Sequence, residues 1–190
     1  MQSSQKTEVL DRLRAGSERI LAASPVISAE GAALDRQAVK ECRYLMRLLA
    51  LRKRSRAELW DALAAREVPG PVRAEALARI ERAGLIDDAA FATEWVQQRR
   101  RDKRLADREL ARELRGRGVA EADITHALRE AEEPETEYER ARELVRKRLP
   151  GGAAPRGNER KNLLRRLEAQ LMRRGFSREI TTSAILSELK

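Results

Sequence analysis

Apolar residues recur along most of this chain at intervals of three and four, the spacing of one face of a helix. Val39, Cys42, Leu45, Met46 and Leu49 follow that spacing and predict a first strong helix from Asp35 onward. Ser55-Arg56-Ala57-Glu58 spells a capping box. In it the Ser55 hydroxyl accepts from the Glu58 amide, and the Glu58 carboxylate accepts from the Ser55 amide. A second helix comes next, through Leu59 and Leu63. Gly70-Pro71 opens a third, with Pro71 at the first helical position, and Val72, Ala76, Leu77 and Ile80 form its apolar face. Gly84 ends it in a left-handed cap.

The same three-helix sentence is then spelled twice more. Asp87 is a natural N-cap, with Ile86 and Phe91 placed as a hydrophobic staple around it, and the helix continues through Trp95, Val96 and Arg99. Leu105, Leu110 and Leu114 predict the next helix, Gly116-Arg117-Gly118 a break, and Ile124 and Leu128 the helix after it. The third round opens near Tyr138 with Ala141, Leu144, Val145 and Leu149, passes a Pro/Gly-rich loop at 150–157, and resumes through Leu163, Leu164, Leu167 and Leu171. It breaks at Gly175 and ends with Ile180, Ile185 and Leu189.

The repetition is internal. Leu59/Leu63, Leu110/Leu114 and Leu167/Leu171 begin 51 and 57 residues apart, and each pair is followed by an apolar turn residue: Val68, Val119 and Phe176. Two of those turns share a word, Arg117-Gly118-Val119 and Arg174-Gly175-Phe176, whereas the first reads Arg66-Glu67-Val68. The predicted fold is all-α, an elongated tandem array of three units with about nine helices in all. The units are placed at 36–88, 89–135 and 136–190. Residues 1–35 read as a leader, partly mobile in isolation. Glu8–Leu21 offers a short amphipathic helix there, and Pro25 and Gly31 break the helical pattern beyond it.

Composition sharpens this picture. Only 3% of the 190 residues are aromatic, so the core is expected in thin layers of Leu and Ala. The single cysteine, Cys42, excludes an internal disulfide and a multi-cysteine zinc site, and its place on an apolar face predicts a small buried residue. No run approaches the ~20 apolar residues that span a bilayer. The opening MQSSQKTEVLDRL has acidic residues and no apolar stretch, unlike a secretory signal. Cytoplasmic residence, without membrane attachment, is expected.

Charge changes the picture more. The net charge is +9, and it is unevenly spread: residues 97–117 hold nine basic and four acidic side chains, whereas residues 118–137 hold one basic and seven acidic. A basic stripe on one surface is expected, facing an anionic partner. Its candidates in the first unit are Arg47, Arg52, Lys53, Arg54 and Arg56. The second unit offers Arg99, Arg100, Arg101, Lys103, Arg104, Arg108, Arg112 and Arg115. The third offers Arg146, Lys147, Arg148, Arg160, Lys161, Arg165, Arg166, Arg173 and Arg174. Ordinary solvated faces with Glu partners three or four residues away are the plainer reading of each cluster.

No catalytic constellation is spelled. His126 is the only histidine and sits between helical apolar positions. Asp87-Asp88 is better read as a helix start than as a Mg²⁺ pair. The glycines at 151–157 lack the spelling of a phosphate loop. Neither a catalyst, a metal nor a cofactor is predicted.

The stretch Gly84-Leu85-Ile86-Asp87-Asp88-Ala89-Ala90-Phe91-Ala92, followed by Trp95, resembles the signature of the RecX family, regulators of the bacterial RecA recombinase. Ser55–Leu63, Arg108-Glu109-Leu110 with Leu114, and the two Arg-Gly turns resemble its other common words. The resemblance covers residues 36–190. The Ala-rich flanks, the Pro/Gly insertion and Glu67 depart from its pattern. The resemblance implies a curved array and a monomeric, non-enzymatic modulator, usually an inhibitor, lodged in the groove of the RecA filament on single-stranded DNA. It also implies phosphate contacts with single- and double-stranded DNA. Two further readings stand beside it: an autonomous DNA-binding protein built of helix-turn-helix-like units, and a helical scaffold for another acidic partner.

Overall fold

The computed structural model describes residues 11, 14–16, 18, 29–130, 135–149 and 156–189. Nine full helices lie among them: α1 (Ala29–Leu51), α2 (Arg56–Ala64), α3 (Gly70–Arg82), α4 (Asp88–Lys103), α5 (Asp107–Arg115), α6 (Glu121–Glu130), α7 (Glu137–Arg146), α8 (Gly157–Arg173) and α9 (Arg178–Glu188). No strand occurs among the described residues. The all-helical expectation therefore holds. The leader helix expected over Glu8–Leu21 is helical at Asp11, Arg14–Gly16 and Glu18; the rest of it, and residues 150–155 of the Pro/Gly loop, lie outside the described residues.

The chain divides into two compact units, Met1–Phe91 with Arg117–Ala120, and Ala92–Gly116 with Glu121–Lys190. In the first unit, α1 and α2 both pack on α3. Cys42, Leu45, Leu59, Leu63, Ala76, Leu77, Ile80 and Ala83 form the core, with Val68, Leu85 and Ile86 at its margin. Each leucine or isoleucine so buried contributes about 1.5–3 kcal/mol over an exposed one. Cys42 is buried, donates to the Ala76 carbonyl at 3.5 Å, and has its thiol pushed up to about 11 by that burial. It is a small core residue, as expected.

Helix α1 overturns one expectation. It begins at Ala29 and runs straight through Gly31, where the sequence predicts a break. A mid-helix glycine costs about 1 kcal/mol relative to alanine, and the packing of α1 on α3 outweighs it. A buried ion cluster adds to that packing: Arg79 of α3 reaches Asp35 of α1 and Glu75, each at 2.6 Å. Gly70 is already helical, so Pro71 takes the second helical position and not the first.

The capping box at Ser55 is half formed. Ser55 Oγ accepts from the Glu58 amide at 3.1 Å. The reciprocal bond is missing because the Glu58 carboxylate is taken by Arg52, at 2.9 Å, and by Arg117. A complete box instead opens α7, where Thr136 and Glu139 satisfy each other. Thr136-x-x-Glu139 was legible in the sequence by the same rule.

The second unit holds α5 against α6, and α7 and α8 against α9. Its main core joins Ala141, Leu144, Val145, Leu167, Leu171, Phe176, Ala184 and Ile185 with Ala106 from the second round of helices. Two buried arginines brace it. Arg100 and Arg140 both bond Asp107, at 2.9 and 3.1 Å, while Arg100 also donates to the Leu128 carbonyl and Arg140 to that of Glu135.

The signature residues now have physical roles. Gly84 adopts φ +70°, and the amides of Gly84 and Leu85 close on the carbonyls of Glu81 and Ile80. This is the double bond that ends a helix on a left-handed residue. Leu85 lies against Gly16 of the leader. Asp87 caps α4 by accepting from the Ala90 amide at 2.8 Å. Asp88 accepts from the Arg56 amide at the start of α2, also at 2.8 Å. Phe91 is buried, and Trp95 donates to Glu113 at 2.9 Å while Arg99 stacks on its ring. Both aspartates thus serve helix starts.

Candidate functional site

The apolar turns after the first and third middle helices close alike. The amide of Val68 closes on the Leu63 carbonyl at 3.2 Å, and that of Phe176 on the Leu171 carbonyl at 3.2 Å. The residue before the apolar one is left-handed in all three: Glu67 at φ +57°, Gly118 at +70° and Gly175 at +90°. Glu67 therefore keeps the geometry its sequence departure put in question, with the strain of about 1–2 kcal/mol that a side chain meets there.

Two of the turns dock on the start of the preceding middle helix, and the docking explains their glycines. In the first joint, Ser55 Oγ donates to the Arg117 carbonyl at 2.7 Å, and a Cβ at Gly118 would overlap Ala57. In the second, the Ala106 amide donates to the Arg174 carbonyl at 2.9 Å. A Cβ at Gly175 would there stand 2.7 Å from Glu109 Cβ and 2.9 Å from its amide nitrogen. Glu67 is exposed, so its side chain meets no such neighbour.

The joints carry charge differently. At the first, Glu58 neutralises both Arg52 and Arg117. At the second, the residue in the same register is Glu109, but both its oxygens are held by Arg112, through Nε at 2.9 Å and through Nη2. That bond holds the Glu109 carboxyl below the usual carboxylate range. Arg174 is left to donate Nε to the Lys103 carbonyl at 3.0 Å. Burial, and then repulsion from Arg148 and Arg173, lower its affinity for its own proton. Arg148 and Arg173 thus act on Arg174 from just past the end of α7 and from the end of α8, with no carboxylate bonded to any of the three among the described residues.

The other predicted basic residues are placed in two ways. Arg100 lies in the interior, bonded to Asp107 and the Leu128 carbonyl, and not on a stripe. Arg56 pairs with Glu81, Arg99 with Glu113, Arg104 with Glu135, Arg115 with Glu121, and Arg146 and Lys147 with Glu143. Arg54 and Arg160 are half-buried, Arg47 lies 6.0 Å from the Tyr44 ring centre, and Lys53, Arg101, Arg108, Lys161, Arg165 and Arg166 are exposed. Sequence reasoning gathered the three arginines of the second joint among many others. It missed Arg112 as the residue that diverts Glu109; the signal was there, since Asp61 holds the matching place in the first round of helices.

A hollow lined by Glu135, Glu139, Arg142, Glu143, Arg146 and Glu188 is internally paired, Arg142 to Glu188 and Arg146 to Glu143. Among the described residues no group of His, Cys, Asp and Glu could hold a metal ion, and no helix is long and apolar enough to cross a membrane. His126 is exposed.

Comparison with known proteins matches this layout. Residues 43–79, 87–128 and 135–185 match the profiles of the first, second and third three-helix domains of RecX. The regulatory protein RecX of Streptomyces lividans is 40% identical over 163 residues, covering 85% of each chain. That of Thermobifida fusca (strain YX) is 43% identical over 145 residues, 76% of each chain. The crystal structure of RecX from Lactobacillus salivarius shares the fold with a TM-score of 0.65 at 18% identity, over 80% of this chain and 97% of that one. With three successive domains matched in order and two-fifths of the residues shared with such relatives, the chain belongs to the RecX family of regulatory proteins.

Proposed function

We propose that this chain is a non-enzymatic modulator of RecA recombinase. It binds as a cytoplasmic monomer in the groove of the RecA filament on single-stranded DNA. There it limits filament growth, and with it ATP hydrolysis, strand exchange and co-protease activity. The observation that carries this reading is the ordered match to all three RecX domains along one chain. Tandem three-helix units suit such a task, because successive repeats can meet successive protomers of a helical partner. The unneutralised second joint supports an anionic partner, and complementary charge of this kind speeds and orients encounter more than it tightens the final complex. Titrating the chain into RecA hydrolysing ATP on single-stranded DNA tests the reading. Hydrolysis and strand exchange are expected to fall as the chain approaches RecA in amount; unchanged rates at equimolar chain would refute it.

A further inference from the structure

We infer that Arg100, Asp107 and Arg140 form a positioning cluster, which holds α7–α9 in one orientation on α4–α6 at a cost in stability. That orientation is in turn what the chain presents to a RecA filament, a step that rests on the function proposed above.

The first round of helices shows that the packing itself does not require these charges. Arg100 stands 51 residues after Leu49, and Arg140 stands 49 residues after Phe91. The second interval also separates the N-caps Asp87 and Thr136. Leu49 packs against the apolar core of the first unit, and Phe91 is buried. Two arginines thus take the places of two apolar residues. The acids differ as well. Asp107 stands 51 residues after Arg56, and Glu137 stands 49 after Asp88. Asp88 accepts from the Arg56 amide, whereas Glu137 lies near a second acid: burial, and then the charge of Asp107, raise its carboxyl.

The exchange is costly. Arg100 and Arg140 are only 5% and 3% exposed, and a buried guanidinium forfeits hydration that ion pairing seldom returns in full. Apolar residues of similar volume would hold the helices at least as firmly. What they lack is direction, and a buried polar group can fix register at a cost in stability. Here the directions are set on every side. The Nη2 atoms of Arg100 and Arg140 both donate to Asp107 Oδ1, at 2.9 and 3.1 Å. Arg100 also donates to the Leu128 carbonyl in the last turn of α6, and Arg140 to the Glu135 carbonyl just before α7. The cluster therefore ties α7 to α4, α5 and α6. The turn between α8 and α9 is tied separately, through the Arg174 carbonyl and the Ala106 amide. One attachment would let α7–α9 pivot about it; two fix their angle.

The test joins stability, geometry and effect on RecA in the full chain. Spin labels at Gln98→Cys on α4 and Ala169→Cys on α8, both exposed, report the angle between the two rounds, with the buried Cys42 replaced by alanine. The triple variant Arg100→Met/Asp107→Asn/Arg140→Met removes the charges and keeps side chains of similar length. Its denaturant midpoint is expected at or above the parent's, while the single narrow label distance of the parent broadens into several. The amount needed to half-inhibit ATP hydrolysis by RecA should rise about tenfold, within reach of residues that act on binding from a distance. Asp107→Asn alone strands two buried guanidiniums and should lower the midpoint; no change there would overturn the cluster. A triple far less stable than the parent would overturn it too, because the charges would then be holding the fold together. So would a label distance that stays narrow in the triple. Broadened distances with undiminished action on RecA would detach the cluster from modulation. If the parent itself leaves RecA unaffected, the proposed function fails, and the midpoints and label distances still decide what the cluster does.

Discussion

Arg52, Ser55, Glu58 and Asp61 stand 51 residues before Lys103, Ala106, Glu109 and Arg112. The turns that dock on these two sets, Arg117-Gly118-Val119 and Arg174-Gly175-Phe176, are likewise in register. The two joints therefore share a bond to the carbonyl of the turn's arginine, from the Ser55 hydroxyl in the first and the Ala106 amide in the second, and a left-handed glycine after that arginine. Among their differences, one decides the charge. Where the first has Asp61, the second has Arg112, and the glutamate that would neutralise the joint is turned away. The contrast separates what holds the repeats together from what a partner can use: a glycine and a bond to the carbonyl before it do the first, and the disposition of one carboxylate decides the second.

The largest effect is expected where the shared part is broken. Gly175→Ala places a side chain at φ +90° and into Glu109. It should lower the unfolding free energy by about 3 kcal/mol, combining left-handed strain with overpacking. Denaturant unfolding reads this directly, and a change below about 1 kcal/mol would show that the second joint is not as close as described.

The next effect opens the first joint. Glu58→Gln releases Arg52 and Arg117 and should reduce stability by about 1 kcal/mol, the scale of a partly exposed ion pair. More informatively, it should make the first joint resemble the second and raise affinity for a phosphate backbone at low salt. If affinity stays level, an open joint is not sufficient for binding.

Glu67→Gly works in the opposite direction. It removes left-handed strain at an exposed turn and should stabilise the chain by about 0.5 kcal/mol, strain relief being partly offset by unfolded-state entropy. A loss of stability would mean that the Glu67 side chain makes a contribution of its own.

The smallest effect concerns acidity. Burial, and then the charge of Asp107, raise the Glu137 carboxyl above its usual range. Its ionised form therefore disfavours the fold at neutral pH, and that penalty disappears as pH falls through its folded value to its unfolded one. Glu137→Gln should be slightly more stable at neutral pH and should lack this relief on acidification. Glu109 behaves oppositely: Arg112 holds it low, so its contribution is full above the ordinary carboxylate range and is lost as pH falls through the folded value. Thermal unfolding between neutral pH and about pH 4 checks both signs.

Much of the fold was legible because helices are written locally. The three-and-four spacing of Leu59/Leu63, Leu110/Leu114 and Leu167/Leu171 marked the middle helices, and Asp87 and Gly84 marked a start and a stop. Gly31 misled, since its local propensity was outweighed by packing of α1 on α3 and by the Asp35–Arg79 pair, 44 residues apart. The half-formed box at Ser55 misled for the same reason: Arg117 claims Glu58 from 59 residues away. The site was legible as a surplus of arginine but not as a place. Arg100 and Arg174 look equivalent in a string of letters, yet one is buried on Asp107 and the other sits among unneutralised cations. Only the pairing of each guanidinium with its carboxylate distinguishes them, and that pairing is tertiary.

The most direct test compares the joints on the proposed target. Affinity for RecA filaments assembled on single-stranded DNA would be measured for the parent chain, for Arg148→Gln/Arg173→Gln at the second joint, and for Arg52→Gln/Arg117→Gln at the first. If the open second joint is the surface that meets the anionic partner, its variant loses tenfold or more at physiological salt, about 1.4 kcal/mol, and the first-joint variant changes little. Equal losses, or a loss confined to the first joint, would contradict that role.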